Sequence, residues 1–210
     1  MQQRTPEWHA AKLGKLSASK VTDAFDVLVK GGESKKRSDY RLELVAQRMT
    51  GQASEVFENA AMRWGTECEP LARAAYEAAT GQLVTEVGFI DHPVIEWSGA
   101  SPDGLVGDGL IEIKCPSTTT HIKYLLDGVV PDQYKPQMCW QMCCTGRKWC
   151  DFVSYDPRMP DGLQLMIVRY EPTSDELQDV ERKALNFLAT VNDMFDRLEA
   201  IGIDNYRNAA

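Results

Sequence analysis

The sequence predicts an α/β domain with a mixed central sheet flanked by helices. Two observations carry this. Segments with the helical apolar period alternate along the chain with short β-type runs bounded by glycine and proline. And 210 residues supply one good-sized core with no obvious second one, so residues 1–210 read as a single domain.

From the N-terminus, Pro6 to Leu28 reads as a short helix, a turn and a second helix over Lys20–Val29, with Ser17 or Ser19 as its N-cap. Lys30-Gly31-Gly32-Glu33-Ser34-Lys35-Lys36-Arg37 reads as a flexible basic loop, with Lys35 and Arg37 as candidate phosphate contacts. Ser38 is expected to cap a helix over Asp39–Thr50 that stops at Gly51. Asn59 then starts an alanine-rich helix from Ala60 to about Ala79, closed by Gly81. Pro70 lies inside it and lacks a backbone donor, which predicts a bend just after Glu69.

Leu83–Asp91, Val94–Ala100 and Gly109–Lys114 read as strands, the last two joined through Asp103-Gly104 and Gly107-Asp108-Gly109 turns. Ser117–Asp127 and Tyr134–Cys144 read as helices, and Trp149–Tyr155 and Leu163–Tyr170 as two further strands. Ser174 is expected to cap a long helix over Asp175–Ile201. Its apolar positions Leu177, Val180, Ala184, Phe187, Leu188, Val191, Phe195 and Leu198 have helical spacing, which suits a core-facing stripe.

Composition narrows the class. No apolar run approaches the ~20 residues that span a bilayer, and Met1–Pro6 lacks the apolar centre of a signal peptide. A cytoplasmic protein with no membrane partner is the expectation. The net charge of −8 argues against a polyanionic partner unless cations offset the carboxylates of a site. Six cysteines without a C-x-x-C pair read as buried free thiols, an iron–sulfur cluster being the alternative. The three histidines are scattered and suggest no triad.

The chemistry concentrates at Ser101-Pro102-Asp103-Gly104 and Glu112-Ile113-Lys114. Asp103 and Glu112 are nine positions apart across turn sequence, as at two ends of a hairpin. Glu112 and Lys114 are two apart in a strand-like run, so their side chains share a face. Two carboxylates make a hard, oxygen-rich site suited to Mg²⁺. A neighbouring ammonium can orient a water or stabilise developing negative charge. These parts suit phosphodiester hydrolysis, and their spacing resembles the PD-(D/E)xK signature of restriction-endonuclease-like nucleases.

Further segments extend the likeness. Trp8-His9-Ala10-Ala11-Lys12-Leu13-Gly14 through Ser17-Ala18-Ser19, Trp64-Gly65-Thr66-Glu67-Cys68-Glu69, the Ser101–Gly104 and Glu112–Pro116 segments, Tyr134-Lys135-Pro136-Gln137 and Tyr155-Asp156-Pro157-Arg158-Met159 follow one another in order. Together they resemble the phage lambda exonuclease family. That resemblance implies a restriction-endonuclease-like core and a Mg²⁺-dependent 5′-to-3′ exonuclease on double-stranded DNA ends, with two Mg²⁺ per site and Mn²⁺ as a substitute. It also implies a homotrimeric ring around the DNA, a single-strand annealing protein that receives the 3′ overhang, and a phage or prophage origin.

Carried over residue by residue, the resemblance makes Asp103 and Glu112 metal-binding carboxylates. The Ile113 backbone carbonyl becomes a further ligand, Lys114 the catalytic lysine, Glu69 a helper for a second metal, and Gln137 a glutamine lining the site. Lys12, Ser17 and Ser19 match the 5′-phosphate pocket. Lys12 stands where a relative has arginine, which replaces a planar fork with a point charge. Met62 falls where the family places a wedge against the terminal base pair. A structure- or site-specific endonuclease with the same core, and a non-catalytic DNA-binding module, are the alternatives.

Overall fold

The computed structural model describes residues 3–54 and 59–209, with side chains described to Ile203. In order, the elements are α1 (Pro6–Ala11), β1 (Leu16–Ser17), a 3₁₀ turn (Ala18–Lys20), α2 (Val21–Phe25), α3 (Lys35–Thr50) and α4 (Ala60–Thr80). Then come β2 (Ile90–Asp91), β3 (Ser98–Ala100), β4 (Gly104–Val106), β5 (Gly109–Lys114), α5 (Thr118–Asp127) and a second 3₁₀ turn (Asp132–Tyr134). The chain ends with α6 (Lys135–Thr145), β6 (Cys150–Tyr155), β7 (Leu165–Tyr170) and α7 (Ser174–Ala209).

Two mixed sheets result. The larger has the order β4-β5-β6-β7, with β5 and β6 parallel and the outer pairs antiparallel. The smaller is β1-β3-β2, in which β1 runs parallel and β2 antiparallel to β3. The parallel β5–β6 pair requires a crossover, and α5 and α6 form it.

Strand β5 is buried from Gly109 to Ile113 because helices cover both its faces. Ile111 and Ile113 pack with Ala72 and Tyr76 of α4 and with Val153 and Tyr155 of β6. Leu110, on the opposite face, packs with Met138 and Met142 of α6 and with Phe152. By the two-residue period, Glu112 and Lys114 share the α6 face. The apolar stripe of α7, including Val180, Ala184, Phe187 and Val191, packs with Tyr40, Leu44 and Val45 of α3 and Trp140 of α6. Leu198, expected on that stripe, is exposed.

Local contacts decide where the elements differ from the sequence expectation. Helix α3 begins at Lys35, since the Ser34 hydroxyl accepts the Arg37 N–H at 3.1 Å; Ser34, not Ser38, is the cap. The basic segment is therefore half loop and half first helical turn. Helix α2 is five residues long, and neither Ser17 nor Ser19 caps it. Ser17 instead belongs to β1, which pairs with Ser98–Gly99.

The expected strand over Leu83–Asp91 is reduced to β2 and a single bridge between Thr85 and Leu105. The expected strand from Val94 is shortened to β3, because His92 Nδ1 accepts the backbone N–H groups of Val94 and Ile95 and Trp97 takes a left-handed φ of 58°. That geometry makes a turn. Helix α4 has its Asn59 and Gly81 caps as expected and runs without interruption through Pro70. At α7 the reciprocal bonds between Thr173 and Glu176 form the cap, which moves it one residue before Ser174.

Candidate active site

Asp103 leads directly into the β4–β5 hairpin, in which Gly104 pairs with Ile111 and Gly107 takes φ 50° in the turn. A Cβ at Gly104 would lie 2.1 Å from Val84 Cγ1, so a side chain there would displace the start of the hairpin next to Asp103. The Asp103 carboxylate accepts the Ile113 backbone N–H at 2.7 Å, which fixes it against the middle of β5.

Glu112 is 1% exposed, a carboxylate sunk into the core. Three donors hold it. Gln137 and Gln141, one turn apart on α6, each donate at 2.6 Å, to Oε1 and Oε2 respectively. Lys114 donates to Oε1. The Lys114 ammonium also lies over the Tyr134 ring at 5.1 Å.

The electrostatics follow from this crowding. Burial pushes the Asp103 carboxyl well above its usual range, and the negative charges of Glu112 and Glu69 add to it against the opposing Lys114. Burial acts to lower the Lys114 ammonium, yet Glu112 and Asp103 outweigh it and hold the amine above its ordinary value.

Glu69 projects from α4 toward the same place, but both its oxygens are taken. Arg4 reaches Oε2 at 2.6 Å, and Arg73 reaches Oε1 at 3.0 Å. Arg73 also pairs with Glu86 at 2.8 Å and contacts the Asp103 carbonyl at 3.4 Å.

A cleft of about 710 Å³ opens beside this cluster. Lys12, Ser17, Ser19 and Met62, which are scattered in sequence, all line it, together with Arg4 and Trp8. The Ser17 and Ser19 hydroxyls are 3.4 Å apart, and the Lys12 ammonium lies 4.1 Å over the Trp8 ring. Burial is the main cause that lowers the Lys12 ammonium, and Lys20 adds to it against Glu43. The Trp8 indole N–H donates to Ser101 Oγ at 2.8 Å, which ties the cleft wall to the segment carrying Asp103. Met62 is 45% exposed in the cleft, so it is not a core methionine.

Two expected contacts do not join the site. The Arg37 guanidinium bonds to the Ala24 carbonyl, pairs with Glu33 and stacks on Phe187 at 5.0 Å, so the core claims it. Lys35 is exposed on the first turn of α3 and pairs with Asp39. The structure also brings in residues the sequence reading passed over. Gln141 could have been found, since it lies four residues after Gln137 on one helix face. Arg4, Arg73 and the Trp8–Ser101 link join segments far apart in sequence and left no local signal.

Asp103, Glu112 and the neighbouring Ile113 carbonyl offer only hard oxygen donors. The crowding by burial and by Glu112 that pushes the Asp103 carboxyl up is what a divalent cation would relieve. Two carboxylates suit Mg²⁺, which keeps several waters. Among the described residues no group of three or more His, Cys, Asp or Glu converges to hold a metal. Asp103, Glu112 and the Ile113 carbonyl are the groups that would hold a cation; Gln137, Gln141 and Lys114 now occupy the Glu112 oxygens, as Arg4 and Arg73 occupy those of Glu69. All six cysteines are unpaired, and burial pushes the thiols of Cys115 and Cys143 up to about 12. No iron–sulfur site is assembled among the described residues.

Comparison with known proteins agrees with the fold. LHK-Exo, an alkaline exonuclease from Laribacter hongkongensis, is 48% identical over 95% of this chain and 99% of its own, with a TM-score of 0.87. LHK-Exo in complex with dAMP gives a TM-score of 0.88 at the same identity and coverage. A phage-related exonuclease from Haemophilus somnus 129PT shares the fold at 12% identity, with a TM-score of 0.66 over 88% of this chain and 96% of its own. The restriction-endonuclease-like core expected from sequence is thus present. Comparison with curated protein sequences gave no match. Residues 7–148 match the YqaJ-like viral recombinase domain, and with that match over most of its length the chain belongs to the family of YqaJ-like viral recombinase domains.

Proposed function

We propose that this protein is a Mg²⁺-dependent 5′-to-3′ exonuclease that degrades one strand from double-stranded DNA ends. Supporting the reading is the placement of Asp103, Glu112 and Lys114 in one cluster beside the cleft that holds Lys12, Ser17 and Ser19. The description of LHK-Exo, 48% identical, as an alkaline exonuclease supports the same reaction class.

Asp103, Glu112 and the Ile113 carbonyl would hold Mg²⁺, with Mn²⁺ as a substitute, and the cation would supply charge neutralisation at the scissile phosphate. Lys114, held as an ammonium by Glu112 and Asp103, would orient the attacking water and offset charge on the phosphate. Gln137 and Gln141 fix the Glu112 carboxylate so that it cannot rotate away. In the cleft, Lys12 and the hydroxyls of Ser17 and Ser19 receive the terminal 5′-phosphate, and Met62 meets the terminal base pair. A homotrimeric ring around the duplex, and transfer of the 3′ overhang to a single-strand annealing protein, belong to the same proposal.

Digestion of linear duplexes with phosphorylated or unphosphorylated 5′ ends, with and without Mg²⁺, tests it. The expected result is Mg²⁺-dependent loss of linear DNA, faster for the phosphorylated end, with covalently closed circles surviving. Comparable cutting of closed circles would replace the exonuclease with an endonuclease. Sedimentation at several protein concentrations tests the trimer.

A further inference from the structure

We infer that Arg4 is a phosphate-positioning residue that exchanges its Glu69 partner for a DNA phosphate at the seam between the acidic cluster and the cleft. The inference rests on the nuclease reading above.

Arg4 is the group that spans the two halves of the site. It lines the cleft with Lys12, Ser17 and Ser19, and its guanidinium reaches back to Glu69 Oε2 at 2.6 Å. A DNA strand running from the cleft to Asp103 and Glu112 passes this point. The Arg4 side chain is 50% exposed, so a phosphate can reach it. Arg73, the other arginine on Glu69, is 13% exposed and held by Glu86 and the Asp103 carbonyl as well. Lys15 and Lys20, also on the cleft wall, pair with Asp91 and Asp23 outside it.

The backbone at Arg4 is fixed for this placement. Arg4 adopts φ 65°, a left-handed conformation uncommon for a residue with a side chain. The side-chain amide of the preceding Gln3 bridges the Val87 and Pro102 carbonyls at 3.0 and 2.8 Å. Pro102 adjoins Asp103, so the strap that carries Arg4 is moored to the segment that carries the acid. Thr5 accepts the Trp8 N–H on the other side and starts α1.

Without DNA, Glu69 is the available anion and Arg4 satisfies it. A phosphate at the seam is a second anion for the same guanidinium, with the planar geometry that suits bidentate contact. Transfer of Arg4 to the phosphate leaves a Glu69 oxygen free at the moment the substrate arrives.

The test measures DNA binding without chemistry, in EDTA. A fluorescent duplex with a 5′-phosphate is titrated with the parent, Arg4→Gln, Glu69→Gln and the double variant over a range of salt. Loss of one charged phosphate contact is expected to weaken binding of Arg4→Gln by about tenfold. It should also flatten the slope of log K against log salt by about 0.9. Glu69→Gln should tighten binding, because Arg4 is released.

The gain from Glu69→Gln must vanish in the Arg4→Gln background if exchange is the cause. A gain that persists undiminished shows simple removal of a negative charge and overturns the exchange. Unchanged affinity and salt slope in Arg4→Gln, with a melting temperature that falls, would make Arg4 a structural tether only. A parent that binds no duplex ends and cleaves none sinks the nuclease reading itself, whereas a parent that does both while Arg4→Gln matches it sinks only the inference.

Discussion

Replacing Gln141 by leucine removes one of three donors from the Glu112 carboxylate, on the side that water cannot reach. Gln141 is 0% and Glu112 1% exposed, and the bond between them is 2.6 Å. A hydrogen bond to a charged group contributes about 1.5–3 kcal/mol to stability. Leucine fills nearly the same volume, so no cavity is added to that loss, while removal of the buried Gln141 Oε1, which has no hydrogen-bond partner, offsets part of it. For a chain of this size each kcal/mol corresponds to about 2–4 °C in melting temperature, so the expected fall is several degrees, below the about 12 °C that the lost bond alone could give.

Gln137 supplies the internal control. It donates to the other oxygen of Glu112 at the same distance, but from a half-buried position where water can replace it. Gln137→Ala should therefore cost less than about 1 kcal/mol. Thermal and urea unfolding of the two variants side by side checks the ranking. Gln141→Leu as stable as the parent, or less destabilised than Gln137→Ala, would refute the claim that Glu112 is a buried charge dependent on its α6 donors.

Three further outcomes are expected. Asp103→Asn should lose hydrolysis by several orders of magnitude while its melting temperature holds or rises, since it removes a crowded charge and keeps an acceptor for the Ile113 N–H; digestion assays and calorimetry check it. Burial pushes His92 below its usual 6.5, with Glu181 opposing, and its Nδ1 accepts two backbone N–H groups. Its contribution is therefore complete above about pH 6.5 and is lost as pH falls through the depressed native value, so the stability gap between the parent and His92→Asn should shrink on acidification in urea titrations. Gly109→Ala places a Cβ 2.1 Å from the Trp149 ring, and unfolding experiments should show a loss of about 1–3 kcal/mol.

The hairpin that carries Asp103, Glu112 and Lys114 was legible because its signals are local: turn glycines, a period-two strand and nine residues between the acids. Helices α4, α5 and α6 were legible for the same reason, each stopped by a glycine in the left-handed region. Elements set by distant contacts were not. The two-residue β1 exists only because Ser98 and Gly99 lie beside it, and the turn after His92 depends on a side chain that captures its own backbone. Ser34 and Ser38 are equivalent as sequence signals, and the packing of Arg37 against Ala24 and Phe187 selects the first. In the site, the acids and amine were readable, whereas the Arg4–Glu69 pair joins residues 65 positions apart.

The double-sided burial of β5 limits how the chain can vary. A single residue inserted between Leu110 and Lys114 would rotate Ile113 toward the glutamines of α6 and drive Glu112 into the oily side against Tyr76. Folding and the proposed chemistry would fail together, since one strand carries both the core residues and the Glu112–Lys114 pair. The Gly107-Asp108 tip, open to solvent, has no such double duty. Length differences among related chains should therefore accumulate at that tip and leave the six residues of the strand unaltered in number.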